Sequence, residues 1–208
     1  MKKPILMDFP MPITTPHLLI RPPKLGDGLA LNPAVLETYD ELKRIMPWAQ
    51  TKPTLEDSEE FSRLSAANWI LKINEEPYLP LFIFDINDYT FMGAVTYHHM
   101  DWKVPAMELG YWLRKSKQNQ GMMTEAVHAL TQYAFFELKV KRLEIRCDVL
   151  NDRSKKIPER LGYHLESQLK WARINTESNQ LSDTLVYVRH DLENLPNLPV
   201  QWPLIKRT

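Results

Sequence analysis

Apolar positions recur along this chain with two different periods, and each change of period marks an element boundary. His17 to Arg21 reads as a short strand ended by Pro22-Pro23. Residues 27–46 carry a helical pattern with a break expected near Pro33, and Pro47-Trp48-Ala49 makes a turn. Thr54 and Asp57 have capping-box spacing, with Leu55, Phe61, Leu64 and Ile70 following at helical intervals. Strands are predicted over Leu79 to Ile86 and Thr90 to His98, joined through Asn87-Asp88. Residues 106–113 (AMELGYWL) form a fourth strand.

A polar loop then leads into the clearest helix. Met123, Ala126, Val127, Leu130, Ala134 and Leu138 share one face at i, i+3, i+4 spacing. Residues 142–149 alternate strictly as a half-buried strand, and Asn151 N-caps a short helix. Further strands are expected near 164–173 and 183–190. The order β, helices, β-β-β, α, β, α, β-β fits a mixed sheet with helices on both faces. After Asp191, Pro196, Pro199 and Pro203 mark a tail over 192–208 that lies across the surface or is mobile, leaving 1–191 as one domain.

Composition narrows the function classes. The 208 residues include 26 Lys+Arg and 26 Asp+Glu, a balance that argues against a nucleic-acid partner and against charge-driven membrane binding. No apolar run approaches the ~18 residues of a membrane helix, and Asp8, Pro10 and Pro12 interrupt any signal-peptide core. A single cysteine, Cys147, excludes an internal disulfide and suits a reducing, cytoplasmic setting. It stands on the apolar side of its strand with Leu143, Ile145 and Val149, as a buried thiol would. His98 and His99 are neighbours on a strand, so they should point to opposite faces and share a metal poorly.

Candidate chemistry concentrates at one strand, one loop and one short helix. The loop Lys117 to Thr124 places Gly121 where the long helix begins. Unpaired N–H groups and the positive end of the dipole there suit a pyrophosphate, although a plain strand–helix turn reads equally well locally. On the fourth strand Glu108, Gly110 and Trp112 share a face, with Gly110 leaving space between its neighbours. Ser154 lies one turn beyond the cap Asn151. Lys155, Lys156 and Arg160 form either a phosphate contact or a solvated basic face.

These segments resemble the GNAT N-acetyltransferases. Gln118, Gly121 and Met123 occupy the Gln/Arg-x-x-Gly-x-Gly/Ala loop of that family, Met123 standing where a small residue is usual. Glu108 to Leu113 is similar to its fourth-strand segment, and Asn151-Asp152-Arg153-Ser154 with Leu161-Gly162-Tyr163 to its Asn-x-x-Ser…Leu-Gly-Phe segment. Met46-Pro47-Trp48 with Pro53-Thr54-Leu55-Glu56 resembles the branch that acetylates ribosomal-protein N-termini. Together they span roughly residues 13–191.

The resemblance implies an α/β (α+β) GNAT fold with a mostly antiparallel sheet of about seven strands. It implies acetyl-CoA as co-substrate, held by Gln118, Asn119, Gln120, Gly121, Met122, Met123 and Thr124 at the phosphates. Tyr111, Trp112, Leu113, Asn151 and Ser154 would take the pantetheine arm, with Glu108 and Ser154 as the catalytic pair. Pro158 stands where other branches keep a catalytic tyrosine. Direct transfer needs no metal and no covalent enzyme intermediate. The acceptor implied is an amine, as on a ribosomal-protein N-terminus. A small amine such as a polyamine or aminoglycoside, or an inactive acyl-CoA-binding role, are the alternatives. Homodimers are common among similar proteins.

Overall fold

Alternation in the stretch Leu81-Phe82-Ile83-Phe84 sends successive side chains to opposite faces, yet all four are buried. A strand of that kind must be covered on both sides. The computed structural model, which describes residues 3–72 and 78–204, shows what covers it.

The chain runs β1 (Ile13–Thr14), β2 (Leu18–Arg21), α1 (Gly28–Ile45), α2 (Leu55–Leu71), β3 (Leu79–Asp85), β4 (Phe91–Asp101), β5 (Ala106–Leu113) and α3 (Met122–Phe136). It continues through β6 (Arg142–Asp148), α4 (Asp152–Arg160), β7 (His164–Ile174) and β8 (Leu181–Arg189). The strands form one sheet in the order β1-β2-β3-β4-β5-β6-β8-β7, antiparallel except where β5 meets β6. On one face Leu81, Ile83, Val95, Tyr97 and Leu109 meet Ala126, Val127, Leu130 and Tyr133 of α3. On the other, Phe82, Phe84, Phe91 and Ala94 meet Leu31, Ala34, Val35 and Leu42 of α1.

The sheet has eight strands rather than seven. The additional one, β1, is two residues long and pairs Ile13 with Ile20, too short to leave a periodic signal. Pro33 does not break α1. Its missing N–H forfeits a single helical bond, at about 3 kcal/mol. Burial of Leu31, Ala34 and Val35 beside it outweighs that at roughly 1.5–3 kcal/mol for each large side chain. The capping box of α2 forms as expected: Asp57 N–H donates to Thr54 Oγ1 at 3.1 Å and Thr54 N–H to the Asp57 carboxylate at 2.8 Å.

Tail residues lie across the surface. Gln201 exchanges backbone bonds with Thr14, and Trp202 meets Tyr133 edge-on at 5.3 Å while donating to Glu137. Among the described residues no helix is long and apolar enough to cross a membrane.

Candidate active site

The parallel pairing of β5 with β6 is brief. It runs only from Ala106, Met107 and Glu108 to Arg142, Leu143 and Glu144. Beyond Glu108, β6 stays with β8 as far as Asp148, while β5 stays with β4 as far as Leu113. The two strands therefore diverge, and the β6-facing backbone edge of Leu109 to Leu113 has no strand partner among the described residues. A cleft of about 950 Å³ opens there, bounded by the end of α1, the loop before α3, and α4.

At the loop, Asn119 and Gly121 both have positive φ, +61° and +82°. Gly121 caps α3, and the first helical bond runs from Glu125 N–H to Gly121 O at 3.0 Å. The N–H groups of Met122, Met123 and Thr124 are thus the open donors of the helix start. A side chain built on Gly121 would meet nothing within 4 Å, so an anion has room to approach. Met123 packs into the main core, 7% exposed, and also lines the cleft. Gln118 holds the loop in place by donating to Glu41 at 2.9 Å and Leu113 O at 3.2 Å, while accepting from Arg153 at 3.0 Å. Gln120 departs from expectation: its exposed amide folds back to Ser116 O at 3.2 Å, and the residue does not line the cleft.

Glu108 stands at the vertex of the divergence, 9% exposed. Burial lifts its carboxyl to about 7 and Glu144 adds to the rise, against the attraction of Arg146 and Arg173. Arg146 Nε lies 3.5 Å from Oε2, and His98 Nε2 lies 3.6 Å from Oε1. Burial, with His99 and Arg146 nearby, lowers His98 to about 4, so its ring is neutral at pH 7. The space left by Gly110 is filled by the His98 ring, whose Nε2 would lie 2.9 Å from an added Cβ. Trp112, on the same face of β5, packs on Phe91 and Trp48 at 6.0 and 6.3 Å.

The far wall is α4. Asn151 caps it, accepting Ser154 N–H at 3.1 Å. Tyr111 spans the gap from β5, donating to Ser154 O at 3.0 Å with its oxygen 3.3 Å from Ser154 Oγ. Cys147 also lines the cleft. Burial pushes its thiol up to about 11, with a Ser154 hydrogen bond pulling the other way, so it stays a neutral thiol. Lys155 is tied to Asp152 at 2.6 Å and to Val149 O at 3.0 Å, whereas Arg153, Lys156 and Arg160 line the cleft.

A splayed parallel pair, a glycine-capped helix start and the Glu108 carboxylate thus meet at one cleft. A family model described as an acetyltransferase (GNAT) domain matches residues 17–164. The chain belongs to the GNAT acetyltransferase family. It is an acetyl-CoA-dependent N-acetyltransferase related to ribosomal-protein acetyltransferases.

The acetyltransferase is 34% identical over 100 residues to the putative ribosomal N-acetyltransferase YdaF of Bacillus subtilis (strain 168), a match covering 48% of this chain and 53% of that protein. It is 27% identical over 174 residues to the ribosomal-protein-serine acetyltransferase of Escherichia coli (strain K12), covering 80% and 94%. Its fold is shared with RimL, a ribosomal L7/L12 alpha-N-protein acetyltransferase solved with coenzyme A: TM-score 0.76, 22% identity, 86% of this chain and 97% of that one. It is shared equally with the microcin C7 self-immunity acetyltransferase MccE, solved with acetyl-CoA and AMP: TM-score 0.75, 24% identity, covering 85% and 93%.

Several neighbours of Glu108 in this acetyltransferase escaped sequence reasoning. His98, Arg146 and Arg173, which line the cleft, and His99 beside them reach its surroundings only through sheet register. His98 and His99 also defeat the alternation rule: His99 adopts φ +48°, and the rings meet at 4.8 Å between centroids. No local marker precedes that bulge. The Tyr111–Ser154 contact joins residues 43 apart, and the Thr176 Oγ1 to Arg44 O bond, which brings the β7–β8 turn to the end of α1, spans 132.

Proposed function

We propose that this enzyme acetylates the N-terminal α-amine of a protein or peptide in a ternary complex with acetyl-CoA, a ribosomal protein being the reference acceptor. The observation that carries the reading is that Glu108 and Ser154 both line the cleft at the β5–β6 divergence, with Tyr111 reaching from β5 to Ser154. The E. coli relative supports the acceptor class by its name, ribosomal-protein-serine acetyltransferase. We read the cytoplasm as its compartment.

Acetyl-CoA supplies an acetyl thioester at this site. Its pyrophosphate has room at Gly121 and donors in Met122, Met123 and Thr124 N–H. Its pantetheine arm would pair with the free edge at Tyr111 to Leu113, near the Asn151 amide. Glu108 takes the proton of the attacking amine, directly or through a water. As the N–C bond forms and the C–S bond breaks, Ser154 Oγ–H donates toward the sulfur. Tyr111 is a positioning residue, holding Ser154 through its phenol.

An α-amine suits such modest machinery. Titrating near ~7.7–8.0, it is roughly one-tenth neutral at pH 7, whereas a lysine amine at ~10.4 is neutral about once in ~2,500, a difference from full neutrality of roughly 4.6 kcal/mol. Positioning then supplies most of the rate. The test compares one peptide with a free N-terminus against the same peptide blocked there and carrying lysine. The free N-terminus should react faster, and faster reaction of the blocked peptide would reject the acceptor class.

A further inference from the structure

The shift in the β4–β5 pairing between His98 and Asp101 has a chemical consequence. With His99 at φ +48°, both imidazoles gather beside Glu108, the cross-strand partner of His98. One donor atom from each of the three lies within 4.8 Å of the other two. We propose that His98, His99 and Glu108 bind a borderline-soft divalent cation, with Zn²⁺ as the reference ion, and that its binding shuts off acetyl transfer.

Two imidazoles and one carboxylate are a preferred ligand set for such an ion. In a tetrahedral zinc site with bonds of about 2.0–2.1 Å, ligand atoms stand roughly 3.4 Å apart. The His98 Nε2 to Glu108 Oε1 edge is already 3.6 Å, longer than an ordinary hydrogen bond. His99 is exposed, and its donor atom already lies within 4.8 Å of the other two. Gly110 keeps the ring of His98 in place by leaving it the room a Cβ would fill.

The carboxylate also has the right division of labour. Oε1 faces His98, while Oε2 faces Arg146. The positive charge of Arg146 opposes a dication, but its guanidinium is held at 2.7 Å by Glu144, which offsets much of that repulsion. Three protein ligands would leave the fourth position open to the cleft, where water completes the shell. A cation there occupies the carboxylate that the proposed function assigns to the acceptor amine. The shut-off rests on that assignment, whereas the binding site does not.

The experiment titrates Zn²⁺ alone into enzyme free of affinity tag and acetyl-CoA, by calorimetry, and repeats it with Co²⁺ by visible absorption. Expected are one site per chain, the spectrum of tetrahedral Co²⁺, and affinity weakened at least tenfold in both His99→Asn and Glu108→Gln. Asparagine tolerates left-handed backbone, so His99→Asn keeps the bulge while removing the ligand. Its acetyl-CoA affinity and melting temperature should match the wild type. Zn²⁺ should inhibit the wild type, a chelator should restore it, and His99→Asn should resist. No saturable binding, or equal affinity in His99→Asn, overturns the site. Full turnover with Zn²⁺ bound overturns the shut-off and counts against Glu108 as the base.

Discussion

The two halves of the cleft are assembled in different ways. The half we assign to the CoA arm comes mainly from one continuous stretch, Tyr111 to Thr124, with a free strand edge at one end and a glycine-capped helix at the other, completed by Asn151 of α4. The half we assign to the acceptor gathers His98, Glu108, Arg146 and the Arg44–Thr176 contact from separate parts of the chain. A ligand of fixed chemistry can be held by backbone groups, which consecutive residues supply. An acceptor that varies between relatives must be read by side chains, and only the register of the sheet brings those together. Substitutions in the two halves should therefore fail in different ways.

The largest effect is expected at the chemical step. Ser154→Ala should lower kcat by roughly 10–100-fold while leaving acetyl-CoA affinity nearly intact, because the lost hydrogen bond strengthens mainly in the transition state. Steady-state kinetics beside calorimetry checks this, and an equal loss in affinity would move Ser154 into the cofactor half. Next comes Gly121→Val, which sets a branched side chain into the open space at φ +82°. It should weaken acetyl-CoA binding at least tenfold, or ~1.4 kcal/mol. Gly121→Asn tolerates the same backbone and should lose less, which separates a steric clash from backbone strain.

The smallest effect is on stability. Burial raises Glu108 from 4.5 to about 7, so the folded chain holds this proton more tightly than the unfolded one. Its contribution to stability therefore falls as pH rises from 4.5 through about 7. Glu108→Gln removes that fall but also the attraction of Arg146. The variant should be more stable than wild type at pH 8 by on the order of 1 kcal/mol, with the gap closing near pH 4.5–5. Thermal unfolding across that range measures it, and a gap independent of pH would place the raised carboxyl elsewhere.

Local patterns made the first half of the cleft legible. The run 106–113 read as a strand is β5 to the residue, the i, i+3, i+4 repeat is α3 within two residues at each end, and Asn151 is the cap of α4. Thr54 and Asp57 cap α2 as their spacing required. What stayed hidden depends on distance or on packing. Continuity of α1 through Pro33 is decided by the sheet beneath it. Strand β1 exists through its pairing with β2 and with Gln201. The left-handed His99 carries no glycine or asparagine to announce it, and the partners of Glu108 follow from register alone.

Whether Glu108 serves as the base is the central question, and the pH dependence of Glu108→Gln on a peptide with a free N-terminus answers it most directly. Below about pH 7 the carboxylate of the wild type and the neutral amine on which the variant depends both grow about tenfold per pH unit, so there the rate ratio of wild type to variant should stay constant. Above it, as the amine sheds its own proton near ~7.7–8.0, the ratio should narrow by up to tenfold per pH unit. A ratio uniform from about pH 6 to 9 would contradict the account and leave Glu108 as a structural or acceptor-binding residue, with positioning as the main source of catalysis.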